Sequence, residues 1–248
     1  PVILITGIAG VALICLLVTV ELRKQAPMVD FHLLGQRLFG VINLSSLFAA
    51  SGFIGLLFIA SIYLQTARGF DAFAAGSSTA PEAVGVLIAS QFVGRIYPRI
   101  GPRRLMTAGM LLVAAGTVAL TLVMTGDLWV FRALMFGIGL GWAFVVIPMN
   151  AGAFAQMSSH DTGRASALYN AQRQLAAALG VATLATLVGS QAATGATISG
   201  NTPIFREAFL AAAGFALAGA VTALFIRDRD AESTMRKRGQ HAATAPAT

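Results

Sequence analysis

A carboxylate lies inside a long apolar stretch of this sequence. Glu82 follows Pro81 about halfway along an apolar run over residues 72–94. Acidic side chains deep in a bilayer are rare unless they face a cavity, a partner or a proton pathway, so an intramembrane acid is a functional candidate by default. We therefore predict that Glu82 couples protons to function. The alternative is a protonated or hydrogen-bonded structural Glu packed between helices.

Arg132 is a second charged side chain within an apolar run. It lies roughly one and a half helical turns into residues 128–149. From there it either takes part in proton coupling or extends to the lipid headgroups. The glycines that follow, Gly137, Gly139 and Gly141, have no preceding strand and indicate close helix packing rather than a dinucleotide site.

A polar cluster opens a later apolar run, residues 164–189. It consists of Tyr169, Asn170, Gln172, Arg173 and Gln174. Such a cluster needs a wet surface, so it either lines a water-filled cavity or extends the helix into water as a solvated end. Tyr169, Asn170 and Arg173 are our cavity-lining candidates.

Residues 94–104 form a short basic segment between two apolar runs. Its candidate residues are Gly94, Arg95, Arg99, Gly101, Arg103 and Arg104. Four arginines in eleven residues exceed what membrane orientation requires. The glycines and prolines restrict its conformation, so a tight basic turn is predicted. A loop that serves only to orient the chain is the alternative.

No residue pattern here is typical of catalysis or metal binding. His32, His160 and His241 are far apart, and Cys15 is the only cysteine. No phosphate loop or Ser-His-Asp order is present. The two lysines lie outside the apolar runs, which excludes a retinal Schiff base in the bilayer. We expect no enzyme activity, no cofactor and no metal site.

The composition indicates a membrane protein. Of 248 residues, 56% are apolar and 11% are charged, and the mean hydropathy is +0.76. Soluble domains are about 45–50% apolar and about 25% charged, and disordered chains are far less hydrophobic. The net charge of +7 lies between the apolar runs rather than on one folded face, which argues against a nucleic-acid partner.

Seven apolar runs approach or exceed the length of about 20 residues that a membrane helix needs. They cover residues 2–20, 39–64, 72–94, 105–125, 128–149, 164–189 and 206–226. Helices are expected because every backbone polar group in lipid must be paired within its segment. Asp71, Asp127 and Pro203 mark predicted helix starts. The predicted fold class is an all-α membrane protein.

Basic residues collect on one side of these runs. That side holds Arg23, Lys24, Arg37, Arg95, Arg99, Arg103, Arg104, Arg164, Arg227, Arg229, Arg236, Lys237 and Arg238, whereas the other holds Arg68 and Arg206. By the positive-inside rule the C-terminus is predicted to be cytoplasmic, and seven crossings place Pro1 outside. With no basic segment or cleavage site before the first run, this start indicates the C-terminal part of a longer chain.

Residues 94–104 resemble the cytoplasmic signature G-x-L-a-D-R-x-G-r-r of the major facilitator superfamily, in its C-terminal-half copy. The matching residues are Gly94, Arg99, Gly101, Arg103 and Arg104. Pro98 stands where the signature has Asp. This replacement removes the charge that ties the loop to a neighbouring helix in the family.

Other stretches are similar to the fourteen-span drug:proton antiporters of the EmrB/QacA type within that superfamily. They are Met28 to Phe39, Tyr63-Leu64-Gln65, Gly69, Gly76, Pro81, Arg132 with Gly137 and Gly139, and residues 164–182, where Ala176 replaces a glycine. The matches cover nearly the whole chain.

The resemblance implies a plasma-membrane, multi-pass transporter that exports small amphipathic compounds by proton antiport and alternating access, as in multidrug efflux and drug resistance. Residues 1–38 would form a linker helix and loop, residues 39–226 the six-helix C-terminal half, and residues 227–248 a basic, disordered cytoplasmic tail. The implied partners are the substrate, protons, the lipid bilayer and a missing N-terminal half. Phe48, Phe53, Phe58 and Trp142 either contact substrate or pack against helices and lipid.

A complete seven-helix receptor or signalling protein with a processed N-terminus is the competing interpretation. It predicts an open reading frame that begins close to Pro1 and a ligand pocket within these runs. A membrane-embedded enzyme is less consistent with the sequence, because Glu82 is the only convincing acid within the predicted spans.

Overall fold

The computed structural model describes residues 31–124, 126–157, 161–193 and 202–235, with scattered residues between 10 and 20. Regular structure in these residues is helical, without a strand. The predicted all-α class is thereby confirmed. Most of the predicted span 2–20, and the tail beyond residue 235, lie outside the described residues.

The helices follow one another with short connections. They are α1 (Arg37–Ile62), α2 (Ala72–Thr79), α3 (Pro81–Ile100), α4 (Pro102–Leu122), α5 (Leu128–Ala153), α6 (Thr162–Ala193), α7 (Thr202–Ala223) and α8 (Glu232–Met235). Short 3-10 helices cover Phe31–Gly35 and Asp228–Ala231, and a π-helical turn, Tyr63–Ala67, ends α1.

Five stretches of the described residues are long and apolar enough to cross a membrane. They are Arg37–Ala67, Ala72–Ile100, Pro102–Leu122, Leu128–Ala153 and Pro203–Ala223. They correspond to five predicted runs with shifted ends; the run 72–94, for example, continues to Ile100. α6 matches the run 164–189 and has 32 residues, but the polar residues in its first third make it less apolar than these five stretches.

Two aspartates fix the starts of α2 and α5, as predicted. The Asp71 carboxylate accepts a hydrogen bond from the Ala74 amide at 2.7 Å, and the Asp127 carboxylate accepts one from the Trp129 amide at 3.0 Å. Each pairs an amide that helix geometry leaves free. We call the end of the bundle where these two helices begin the far end, and the opposite end, which carries residues 94–104, the basic end.

α2 and α3 form one span interrupted at Ala80. The Ala80 amide still donates to the Gly76 carbonyl oxygen at 2.9 Å, so the helical path continues through the interruption. Pro81 then begins α3, where the N–H that proline lacks is not needed. Glu82 is the second residue of α3 and lies about one helical turn from the midpoint of Ala72–Ile100.

The helices pack in an order that leaves two of them at the edges. α3 packs against α5, α5 against α4, α4 against α7, α7 against α1, and α1 against α6. α3 and α6 therefore lie at the two ends of this order. Both carry exposed apolar side chains, which include Val84, Leu87, Ile88 and Phe92 on α3, and Leu175 and Leu179 on α6.

Glycines allow the closest contacts between these helices. A Cβ atom on Gly139 of α5 would overlap the carbonyl oxygen of Glu82 on α3. A Cβ atom on Gly180 of α6 would overlap the carbonyl oxygen of Ser51 on α1. Because lipid is as apolar as the helices, such close backbone packing contributes much of their association.

The far end of the bundle is joined by Tyr63, from the Tyr-Leu-Gln stretch. Its ring packs edge-on against Phe205 and Phe209, with centroid distances of 5.4 and 6.0 Å. Its hydroxyl donates to the Met124 carbonyl oxygen, which also accepts a bond from Arg68 at 2.9 Å. These contacts connect the end of α1 with α7 and with the loop between α4 and α5.

Gly139→Ala should destabilise the bundle by about 1–3 kcal/mol, because the added methyl group meets backbone that has no room to move. Gly137→Ala, two residues earlier on the same helix, is the matched control, since a Cβ atom there has no neighbour within 4 Å. Thermal unfolding of the whole gene product in detergent, followed by tryptophan fluorescence, measures both. Equal midpoints in the two variants would contradict the close contact at Gly139.

Candidate functional site

Glu82 lies at the contact between α3 and α5. Its backbone is adjacent to Gly139, and its side chain is half-buried. Within the described part of the chain, its carboxylate has no hydrogen bond or ion pair. The acid is thus held in position by packed backbone while its oxygens stay available to a proton or to another molecule.

Arg132 lies on α5, two helical turns before Gly139 and toward the far end. It donates a long hydrogen bond of 3.4 Å to Ser78 Oγ on α2, and its Cζ lies 5.0 Å from the centroid of the Trp129 ring. The buried Nε has no acceptor among the described residues. The guanidinium therefore packs against α2 and Trp129, with one donor still unpaired.

Glu82 and Arg132 share one helix interface without forming an ion pair. Ser78 precedes Glu82 by one turn, and Gly139 follows Arg132 by about two turns, so the two charged residues are separated by roughly 5–10 Å along the helix axes. Within a bilayer, charges at that separation interact more strongly than they would in water.

The interface between α1 and α6 contains a set of buried polar side chains, which we call the polar seam. It consists of Asn43 and Ser46 on α1, and Tyr169 and Gln172 on α6. Asn43, Ser46 and Tyr169 are at most 3% exposed. The Gln172 amide donates to the Asn43 carbonyl oxygen at 3.1 Å, which joins the two helices.

Several polar atoms of the seam are unpaired. Asn43 Oδ1, Ser46 Oγ, Tyr169 Oη and Gln172 Oε1 are buried without a hydrogen bond of ordinary length to any described residue, although the hydroxyls of Ser46 and Tyr169 lie close to each other. An unpaired buried polar group costs about 1–3 kcal/mol, and buried water or a polar ligand usually satisfies such groups. The seam therefore keeps unused hydrogen-bonding capacity that is closed to solvent in this conformation.

The three cavity-lining candidates do not share one side of α6. Tyr169 is buried, with its ring 5.7 Å from that of Phe154, and the Arg173 Cζ lies 5.8 Å from the Tyr169 centroid. Asn170 is exposed, and its amide donates to the Ser166 carbonyl oxygen of the same helix at 2.9 Å. Tyr169 and Arg173 thus adjoin the seam, whereas Asn170 does not.

The predicted tight turn over residues 94–104 is wrong in extent. α3 continues to Ile100 through Pro98, and α4 begins at Pro102, so the turn is Gly101 alone. A proline inside a helix removes one hydrogen bond without ending the helix when the flanking turns are packed. Gly101 has φ +85, a conformation that favours glycine.

The basic residues of this segment are divided between two helices. Gly94, Arg95 and Arg99 lie on the last two turns of α3, and Arg103 and Arg104 lie on the first turn of α4. All five are exposed. The segment is therefore a rigid helical corner rather than a flexible loop.

Asp228 completes this corner from the other end of the sequence. Its Oδ1 accepts a hydrogen bond from the Arg103 amide at 3.0 Å, across 125 residues. A Cβ atom on Gly101 would lie 2.7 Å from the same oxygen, so glycine is also needed to admit the carboxylate. Asp228 thus supplies a negative charge beside residues 94–104. In this segment Pro98 stands where the signature that it resembles has Asp.

The residues that follow Asp228 add two contacts at the basic end. Tyr97 Oη and Thr234 Oγ1 form a hydrogen bond of 2.7 Å, and Gln156 donates to the Asp230 carbonyl oxygen at 2.9 Å. The beginning of the predicted tail forms short helices. Through these two contacts it joins the ends of α3 and α5.

Sequence reasoning missed Asp228, Asn43 and Ser46. Asp228 carries no local signal in the sequence, because the amide that it caps lies 125 residues earlier. Asn43 and Ser46 are three residues apart in an apolar run, which places them on one helix face. Of the aromatic candidates, Phe53 stacks on Trp142 at 4.0 Å, so both take part in packing.

The family follows from a sequence comparison. The Major Facilitator Superfamily profile matches residues 1–181 of this chain. The chain belongs to the Major Facilitator Superfamily, a family of membrane transporters. This membership does not favour the receptor interpretation.

Individual relatives include named resistance and efflux proteins. The chain is 28% identical over 240 residues to puromycin resistance protein pur8 of Streptomyces alboniger, covering 91% of this chain and 48% of that protein. It is 25% identical over 193 residues to a multidrug resistance protein B homolog of Mycobacterium tuberculosis, covering 76% and 36%. It is 31% identical over 175 residues to multidrug efflux pump LfrA of Mycolicibacterium smegmatis, covering 66% and 33%. The chain thus spans about half the length of these relatives or less.

Asp228→Ala should loosen the start of α4, because removal of a helix N-cap costs about 0.5–2 kcal/mol. Amide hydrogen exchange in a peptide spanning residues 102–106 should accelerate by about tenfold, the equivalent of ~1.4 kcal/mol. Asp230→Ala is the matched control, since Asp230 contributes its backbone carbonyl, which the substitution keeps. Equal exchange in the two variants would contradict the capping role.

Proposed function

We propose that this chain is the C-terminal half of a fourteen-span drug:proton antiporter of the EmrB/QacA type, which exports small amphipathic compounds by alternating access. Residues 1–38 would supply a linker helix and residues 39–226 the six-helix half. The basic end would face the cytoplasm, with the protein in the plasma membrane. The observation that carries the proposal is Glu82, an unpaired carboxylate near the middle of a membrane span in a family of transporters.

The placement of Glu82 suits proton coupling. Its backbone is fixed against Gly139, and its carboxylate has no partner among the described residues. An ionisable side chain within a membrane span is a common feature of proton pathways. Protonation would remove a charge from the α3–α5 interface and change the field at Arg132. Coupling requires only that the protonated form favours one conformation over the other.

The edges of the bundle suit a missing partner half. The exposed apolar side chains on α3 and α6 lie on the two helices at the ends of the packing order. A second bundle placed against both helices would enclose a cavity between the halves, as alternating access requires. The relatives of greater length support the same proposal.

The polar seam, which is closed in this conformation, is the proposed site for the polar part of the substrate, or for water that accompanies it, when α1 and α6 separate during alternating access. Tyr169 and Arg173 adjoin it from α6. The similarity to resistance and efflux proteins supports a small-molecule substrate. Asn170 would act from the exposed side of α6 that faces the missing half.

Glu82→Gln in the whole transporter should abolish drug export driven by the proton gradient, because the amide cannot take up and release a proton. The measurement is efflux of a fluorescent amphipathic cation from whole cells, with and without a protonophore. Asp127→Asn is the matched control: it also removes one carboxylate, but it keeps an N-cap acceptor. Wild-type efflux that is insensitive to the protonophore, or normal coupling in Glu82→Gln, would refute proton antiport.

Tyr169→Phe should change the thermal unfolding midpoint little, because the hydroxyl that it removes is buried and has only the nearby Ser46 hydroxyl as a weak partner among the described residues. Export should fall severalfold at low substrate concentration if the hydroxyl binds substrate or its water. Thr183→Val removes an exposed hydroxyl from the same helix and serves as the control. A large loss of stability in Tyr169→Phe would instead assign the hydroxyl a structural role.

A further inference from the structure

A cavity of about 500 Å³ opens at the basic end, outside the proposed transport site. It lies between the first turns of α4 and the chain just after α7. Its walls include Arg103, Arg104, Thr107, Leu111, Leu224 and Asp228. α4 is a candidate membrane span, so this cavity is at the level where a membrane helix leaves the lipid.

The polar part of the cavity has donors without acceptors. Arg103 and Arg104 are exposed, and in the described part of the chain neither guanidinium has an acceptor. Thr107 Oγ1 is buried and also unpaired among the described residues. Thr107 itself is half-buried and lines the cavity, so a change of its side-chain rotamer would bring this unpaired hydroxyl to a ligand.

The charge of the cavity selects a ligand with a single negative charge. Asp228 contributes one negative charge, but its Oδ1 is already bonded to the Arg103 amide. Two guanidinium groups and one carboxylate leave a net charge of one positive unit. A phosphate diester carries one negative charge and presents acceptors for both guanidinium groups and for a hydroxyl.

The rest of the cavity is apolar and extends along the membrane helix. Leu111 lies two turns beyond Arg103, roughly 12 Å deeper along α4, and Leu224 faces the cavity from the end of α7. A free phosphate would leave this wall without a partner, whereas a lipid acyl chain would cover it. Basic pockets at the ends of membrane helices are suited to anionic lipid headgroups.

We propose that this cavity binds one anionic phospholipid, with its phosphate diester between Arg103, Arg104 and Thr107 and an acyl chain along Leu111 and Leu224. The site is separate from proton coupling at Glu82, and it stands or falls independently of it. The lipid would lie beside the Asp228 cap and so stabilise the corner between α3 and α4.

The test is native mass spectrometry of the whole gene product in detergent, titrated with phosphatidylglycerol or with phosphatidylcholine. Phosphatidylglycerol should bind more tightly, and Arg103→Gln with Arg104→Gln should weaken it about tenfold or more. Arg95→Gln with Arg99→Gln is the matched control, because it removes two charges from the same corner outside the cavity. An equal loss in both double variants would show a diffuse surface-charge effect and overturn the proposal.

Two further measurements test whether the Thr107 hydroxyl takes part and whether the ligand is a lipid. Thr107→Val should keep the unfolding midpoint of the lipid-free protein and weaken phosphatidylglycerol severalfold, whereas an unchanged affinity would remove the hydroxyl from the site. Inorganic phosphate or glycerol 3-phosphate, added at millimolar concentration, should not displace the lipid. Full displacement by either would identify a free phosphate site and overturn the assignment to a lipid.

Discussion

The arrangement of the helices depends on one constraint, which is that backbone packs directly against backbone at glycines. In lipid, apolar side chains gain little by facing another helix instead of an acyl chain, so association relies on close packing. Gly139 brings α5 against Glu82, and Gly180 brings α6 against Ser51. The first contact positions the acid, and the second brings α6 to the side of α1 that carries the polar seam.

Those contacts also explain how polar groups are tolerated in so apolar a chain. The backbone of Glu82 lies at the closest contact of its interface, so the packing of α3 against α5 determines where its half-buried side chain begins. The seam likewise has polar atoms on two helices that are joined by Gln172 and Asn43. In both places close helix packing determines where the polar atoms lie.

The features that sequence reasoning predicted are local ones. The helix starts at Asp71 and Asp127 could be predicted because a cap bonds an amide two or three residues away, and membrane spans follow from the length of apolar runs. The position of Asp228 could not, because its partner at Arg103 is determined by the packing of α4 against α7. Helix packing also determines burial. The adjacent residues Tyr169 and Asn170 are therefore equivalent polar candidates in the sequence, but only Tyr169 is buried in the structure. The extent of α3 could not be predicted because a proline such as Pro98 usually indicates a helix end, although here the flanking turns hold the helix together.

The Asp228 cap has a consequence for the order of biosynthesis. The ribosome makes Arg103 before Asp228, and at typical rates the 125 residues between them take on the order of ten seconds. During that interval the first turn of α4 has no cap from its own neighbourhood, since Gly101 offers no side chain. The corner between α3 and α4 therefore becomes complete only after α7 has been made. A capped α4 thus requires that the last described membrane helix is already synthesised and packed.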